Sequence, residues 1–237
     1  MIEIHGLRKR YGALQVLDDV DLVIHPGRVT AVVGPNAAGK TTLIKSVLGL
    51  TRPDSGTIHV DGREIDASGD YRAKIGYMPQ IARFPDNLTG ADLFAMMSDL
   101  RSDAAPRDEE LIGSLGLQTQ LHKPLRVLSG GTRQKVNAAL AFHFSPSMLF
   151  LDEPTAGLDP ISSSIVKDKI GSERNRGRTF VLTSHVMSEL EELADDIAFL
   201  IDGRIRFSGP IHDLKRITRQ LSLERAIAYV LETGAAA

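Results

Sequence analysis

Eight consecutive residues, Gly34-Pro35-Asn36-Ala37-Ala38-Gly39-Lys40-Thr41, constrain this chain more than any other stretch. They fit G-x-x-x-x-G-K-[ST], a pattern that needs a buried strand before it and a helix after it. The flanks supply both: Val29-Thr-Ala-Val-Val33 reads as a buried strand, and Thr42–Leu48 reads as a helix. Such a pattern arises by chance in about 2% of chains this long, so the flanks carry much of the inference. The glycines let the backbone curl so that its N–H groups point inward as an anion nest. A helix starting near Gly39 aims its positive end at the same point. Lys40 would add a point charge for β- and γ-phosphates, and the Thr41 hydroxyl an oxygen for Mg²⁺. A nucleoside triphosphate is the ligand implied. Ala37 occupies a free position of the pattern; if its φ is positive, the methyl costs ~1 kcal/mol of strain.

The rest of the composition mainly excludes. A chain of 237 residues buries a sizeable core, as one large domain or a domain with an inserted lobe. A formal charge of -2 leaves no basic footprint, so no nucleic-acid partner is expected. The absence of cysteine excludes disulfides and thiolate metal sites. The start, Met1–Gly6, lacks a signal-peptide layout, and the longest apolar runs, Ala138–Phe142 and Ile197–Ile201, fall far below the ~20 residues of a membrane span. Any membrane part must come from another chain.

Along the chain, Ile2–Leu7 and Val20–Ile24 read as strands, with a turn at Pro26-Gly27. Thr57–Val60, Asp61-Gly62 and Arg63–Ile65 predict a tight hairpin, as do Ile197–Ile201, Asp202-Gly203 and Arg204–Phe207. Leu88–Phe144 is helical in pattern, with loops at Ala104–Pro106 and His122–Pro124. Met148–Leu151 and Thr179–Thr183 look like central parallel strands. Ser188–Ala194 reads as a crossover helix, Ile211–Leu231 as an amphipathic helical segment, and the tail from Gly234 should fray.

Two further strings bear chemistry. Asp152-Glu153 ends an apolar run, and in open α/β sheets ligands bind at such strand ends. Asp152 would hold Mg²⁺ and Glu153 would polarise the attacking water, unless the pair is only a solvated strand end. Leu128-Ser129-Gly130-Gly131-Thr132-Arg133-Gln134-Lys135 opens a helix with an apolar stripe of Val136, Leu140 and Phe144. It is either an ordinary glycine-rich helix start or a second anion site built of N–H groups, a hydroxyl and a dipole.

Taken with Tyr11, Gln80, Gly157-Leu158-Asp159 and His185, the order and spacing over about residues 2–210 resemble the ATP-binding cassette (ABC) ATPase family. The resemblance implies an α/β fold: a P-loop NTPase with a RecA-like core, an antiparallel β subdomain and an inserted helical subdomain. It implies one ABC domain with the core at 1–81 and 146–210, the signature-bearing helical insertion at 82–145, and a C-terminal helical extension at 211–237. It further implies binding of ATP with Mg²⁺. Tyr11 would stack on adenine, with Val16 beside the base or sugar. Asn36, Ala37, Ala38, Gly39, Lys40, Thr41 and Thr42 would line the phosphates. Glu153, His185 and Gln80 would be catalytic, and Thr41, Gln80 and Asp152 would serve the metal. Ser129, Gly130 and Gly131 of the signature motif and Asp159 of the D-loop would also bind nucleotide, Ser129 and Gly131 acting across a head-to-tail dimer on the nucleotide of a second copy. Taken alone, Tyr11 would be a packing residue, Gln80 a loop amide and His185 a capped polar strand end. Thr132 departs from the family's frequent glutamine, and Ala37 from its frequent glycine.

The resemblance implies ATP hydrolysis driving a separate membrane permease, on the cytoplasmic face of a bacterial inner membrane. Ile81–Leu88, with Phe84 and Pro85, is either the docking cleft for that permease or a plain connecting loop. Gly76–Pro85, Ser129–Val136 and Thr183–Leu190 are similar to the ATPase of the Nos system, which matures the copper sites of nitrous oxide reductase. No ligand spacing among the histidines and methionines suggests copper on this chain. The alternative is a non-transport ABC ATPase on a soluble macromolecular partner, which usually carries two cassettes or a long coiled coil.

Overall fold

The computed structural model describes residues 1–101 and 107–234; the loop expected at Ala104–Pro106 and the tail after Gly234 lie outside them. The chain divides into two compact units, Met1–Arg72 with Thr179 onward, and Ala73–Arg178.

In the first unit, β1 (Ile2–Tyr11), β2 (Leu14–Ile24), β3 (Val29–Val33), α1 (Lys40–Val47), β4 (Ser55–Val60) and β5 (Arg63–Glu64) follow in order. β2-β1-β4-β5 form an antiparallel sheet. Its buried face is built by alternation: Ile2 lies opposite Ile24 and Val60, and Ile4 opposite Leu22 and Ile58. β1 runs past the expected Leu7, because irregularities in its pairing with β2 let it resume at Leu7 opposite Val20 and close at Tyr11 opposite Leu14. The Asp61-Gly62 turn has φ of 51° and 76°, as a type I′ hairpin requires. All five residues of β3 are buried, Thr30 along with its apolar neighbours.

The second unit holds β6 (Ile75–Met78), α2 (Gly90–Asp99), α3 (Glu110–Ser114), α4 (Gly130–Phe142), β7 (Met148–Asp152) and α5 (Pro160–Asn175). β6 and β7 pair in parallel, Ile75 with Met148 through Met78 with Leu151. A Cβ on Gly76 would stand 2.1 Å from the Ala141 carbonyl oxygen, so only glycine lets α4 approach β6 this closely. The broad helical stretch expected from Leu88 resolves into α2, α3, a short 3₁₀ turn at Leu125–Val127 and α4. Thr89 and Asp92 start α2 with a reciprocal capping box. The sequence reading did not foresee α5. Asp159 caps it, accepting from the Ser162 N–H at 2.9 Å, and Pro160 opens its first turn.

The first unit resumes with β8 (Thr179–Thr183), α6 (Met187–Leu193), β9 (Asp196–Ile201), β10 (Arg204–Pro210), α7 (Ile211–Thr218) and α8 (Leu223–Thr233). Here the strand order is β10-β9-β3-β8; β3 is parallel to both β8 and β9, and β10 is antiparallel. The expected single helical segment from Ile211 to Leu231 is two helices. Arg219 turns left-handed at φ 57°, and Ser222 caps α8. The break lets α7 bury Ile211 and Leu214 while α8 folds back to bury Leu223, Ile227 and Val230; an unbroken helix could not pack on itself.

Candidate active site

The loop after β3 is shaped by what presses on it. A Cβ at Gly34 would lie 2.0 Å from the Leu200 carbonyl oxygen. Gly39 stands at φ 106°, and a Cβ there would meet the Val16 carbonyl oxygen at 2.7 Å, so the backbone at Val16 lies against the loop. Ala37 is left-handed too, at φ 64°, whereas Ala38 between them is not. This alternation turns successive N–H groups toward one side, the geometry of an anion nest. Gly39, the N-cap of α1, has no side chain to offer the first N–H groups of that helix. The Lys40 ammonium folds along the loop, donating to the Gly34 oxygen at 2.7 Å and the Pro35 oxygen at 2.9 Å.

Thr41 is exposed and Thr42 half-buried on the first turn of α1. Tyr11, 50% exposed at the end of β1, has the Lys9 ammonium 5.4 Å from its ring centroid. His185 is exposed after β8. Its neighbour Ser184 frames it by accepting from the Val186 N–H at 3.0 Å and donating to Glu189 at 3.2 Å.

The positive φ of Ala37 meets the condition under which its methyl is a burden. Ala37 is exposed, so a replacement disturbs no packing. Nucleotide affinity is expected to rank Gly above Asn, Asn above Ala and Ala above Val at this position. Ala37→Gly should tighten binding about fivefold, the scale of the left-handed penalty. Titration with a fluorescent nucleotide checks the order.

The second unit carries its own constellation. Asp152 ends β7 only 6% exposed, and Glu153 follows at 8% with φ 56°, a left-handed conformation that costs an acidic side chain of order 1 kcal/mol or more. Burial, and then the charge of Asp152, push the Tyr77 phenol above its usual pKa. Ser129 starts α4: its hydroxyl accepts from the Thr132 N–H at 3.1 Å and lies 2.9 Å from the Thr132 hydroxyl. Gly131 comes close to Gly157, whose carbonyl oxygen would be 3.1 Å from an added Cβ. Asp159 accepts from Ser162, and Lys135 of α4 reaches it at 2.9 Å. These hydrogen bonds, first from the Ser162 backbone and side chain and then from Lys135, hold its carboxyl far below the usual range. Gln80 is exposed just after β6.

Three residues of α4 had no role of their own legible in sequence: Gln134 and Lys135, which end the Leu128–Lys135 string, and Asn137. Polar residues within a helix read as its solvated side, yet Gln134 and Asn137 are buried. Only their neighbourhood to Ser129 could have drawn attention to them.

A nest-forming loop running into a helix, an acidic pair closing a buried parallel strand and a serine-capped glycine-rich helix define a phosphate-handling α/β ATPase. The sequence pattern of the ABC transporter family matches residues 17–156. The chain belongs to that family, as an ATP-binding subunit with ATPase activity. It is 37% identical over 219 residues to the daunorubicin/doxorubicin resistance ATP-binding protein DrrA of Streptomyces peucetius, covering 90% of this chain and 66% of DrrA. It is 36% identical over 205 residues to the lantibiotic transport ATP-binding protein SrtF of Streptococcus pyogenes, covering 86% of this chain and 89% of SrtF. The solved structure of an ATP-binding subunit of an ABC transporter superposes with a TM-score of 0.90 at 29% identity, over 98% of this chain and 99% of that one. Among the described residues no helix is long and apolar enough to cross a membrane.

Proposed function

We propose that this chain hydrolyses ATP to drive a separate integral membrane permease, working as a head-to-tail dimer on the cytoplasmic face of a bacterial inner membrane. The observation that carries this is the Gly34–Thr41 loop, whose left-handed residues and glycine-capped helix start form a cradle for phosphates. Tyr11 stacks on adenine, with Val16 at the base or sugar. The N–H groups from Asn36 to Thr42 and the Lys40 ammonium hold the phosphates. Glu153 takes the proton of the attacking water, while Gln80 orients that water and His185 donates to the γ-phosphate. Thr41, Gln80 and Asp152 offer only oxygen donors, a set that fits Mg²⁺. When bound, Mg²⁺ neutralises charge on the β- and γ-phosphates. Ser129, Gly130, Gly131 and Asp159 close on the nucleotide of the second copy, the signature residues within a helical subdomain at 82–145 inserted into the core at 1–81 and 146–210. Lys40→Ala is expected to weaken ATP binding at least tenfold, the scale of a lost charge-assisted contact. ATP affinity unchanged by that substitution would remove the loop from the site.

For the subfamily, the strings Gly76–Pro85, Ser129–Val136 and Thr183–Leu190 support the copper-processing Nos type. Relatives named for drug resistance and lantibiotic transport favour a second reading, transport of an antibiotic-like cargo. Deleting the gene in its host separates them. The first expects nitrous oxide reductase without its copper sites; the second expects an intact enzyme and altered antibiotic tolerance.

A further inference from the structure

Asn137 and Gln134 lie one turn apart on α4, and both are buried, at 2% and 8% exposure. Asn137 Nδ2 donates to the Pro79 carbonyl at 2.9 Å and to Gln134 Oε1 at 3.4 Å. Gln134 Nε2 donates to the Glu153 carbonyl at 3.4 Å. Backbone carbonyls only accept, so the Pro79 and Glu153 oxygens at the two ends dictate which way both amides face. The result is a directed relay, from the residue before Gln80, through α4, to Glu153.

We infer that Gln134 and Asn137 are positioning residues, setting the backbone at Gln80 and Glu153 in one fixed relation. Burying two amides is costly unless their hydrogen bonds do something that packing cannot, since apolar side chains of the same size would fill the space more cheaply. What they do here is hold Glu153. At φ 56° that residue sits in a conformation an untethered glutamate leaves readily, and leaving it would swing the carboxylate. Its carbonyl accepts from the Ala156 N–H at 3.1 Å and from the Gln134 amide at 3.4 Å, and the second donor, which comes from α4, adds to the resistance to that rotation. Because the relay's other end grips Pro79, a shift at Gln80 also reaches Glu153 through a helix that Ser129 begins.

This inference rests on Glu153 being the base, so the experiment tests the two separately. Gln134→Met and Asn137→Leu keep volume and remove the donors. Each is expected to lower kcat about tenfold, as a small misplacement of a catalytic group does, with ATP affinity within about twofold. In a Glu153→Gln background, Gln134→Met should change the residual turnover by less than about twofold, because the group it positions is already gone. Unchanged kcat in a variant with a cooperative melt overturns the relay. So does a loss of full size in the Glu153→Gln background, which would mean a merely structural role. If Gln134→Met does not fold, Asn137→Leu, at the other end, carries the same comparison. Undiminished turnover in Glu153→Gln alone would instead overturn the assignment of the base.

Discussion

Glu153→Gln should bind ATP as the parent does and turn it over about a thousandfold more slowly, within the usual range for loss of a general base. Glutamine is isosteric, fits the same left-handed turn after β7 and keeps the carbonyl that Gln134 contacts. The expected loss is therefore of proton acceptance and not of shape. In the proposed cycle hydrolysis loosens a pair of chains, so the variant should accumulate as an ATP-bound pair, visible as a doubled mass by light scattering on adding ATP with Mg²⁺. A variant that hydrolyses normally, or stays monomeric with ATP bound, would break the link between Glu153 and the closure cycle.

The largest stability effect is expected at Lys169. Its side chain is 1% exposed, yet its ammonium meets Asp108 at 2.5 Å, Glu110 at 2.7 Å and Glu173 at 3.0 Å. Burial pulls the ammonium toward neutrality, but the hydrogen bonds to Asp108, Glu110 and Glu173 outweigh it and raise its pKa above the ordinary lysine value. Lys169→Ala removes one partner of a buried network and opens a gap along α5. About 3 kcal/mol is expected, the lower end for such a loss. The reason is that Glu173 keeps Arg176 at 2.6 Å, and Glu110, 56% exposed, can turn to water. Lys169→Met should cost less, since the stem's packing survives. A raised lysine pKa gives stability that is fully present below the unfolded value, near pH 10.4, and is lost as pH rises through the folded one. The difference between parent and Lys169→Met in urea melts should therefore be flat through neutral pH and shrink only in strong alkali.

Much of the architecture was legible wherever one local rule dominated. Val29–Val33 and Thr179–Thr183 are strands with the expected bounds, because short runs of apolar and β-branched residues have few other fates. Asp-Gly marked both hairpins through its left-handed backbone. Elsewhere a stronger competitor won. α5 went unread because Ser, Lys, Asp and Glu along it look solvated, and nothing local reveals that Lys169 and Glu173 face each other's charge inside the unit. The break at Arg219 has no glycine or proline to announce it; tertiary packing of α7 on α8 imposes it. Among site residues, the loop from Gly34 to Thr41 could be read letter by letter. The strain at Glu153 and the amides beneath it could not, since both depend on partners distant in sequence.

The turn between β9 and β10 has a practical consequence. The tip of an antiparallel hairpin is ordinarily where a peptide tag or reporter domain can be spliced in unnoticed. Here the Gly203 N–H donates to the Ala38 carbonyl at 3.3 Å, the Gly203 carbonyl accepts from the Asp18 N–H at 2.9 Å, and Leu200 abuts Gly34. The tip is the back wall of the phosphate loop. A graft at Asp202-Gly203 would therefore read as an active-site lesion, while the exposed corner at Leu221, 87% accessible between two helices, offers a quieter place for a label.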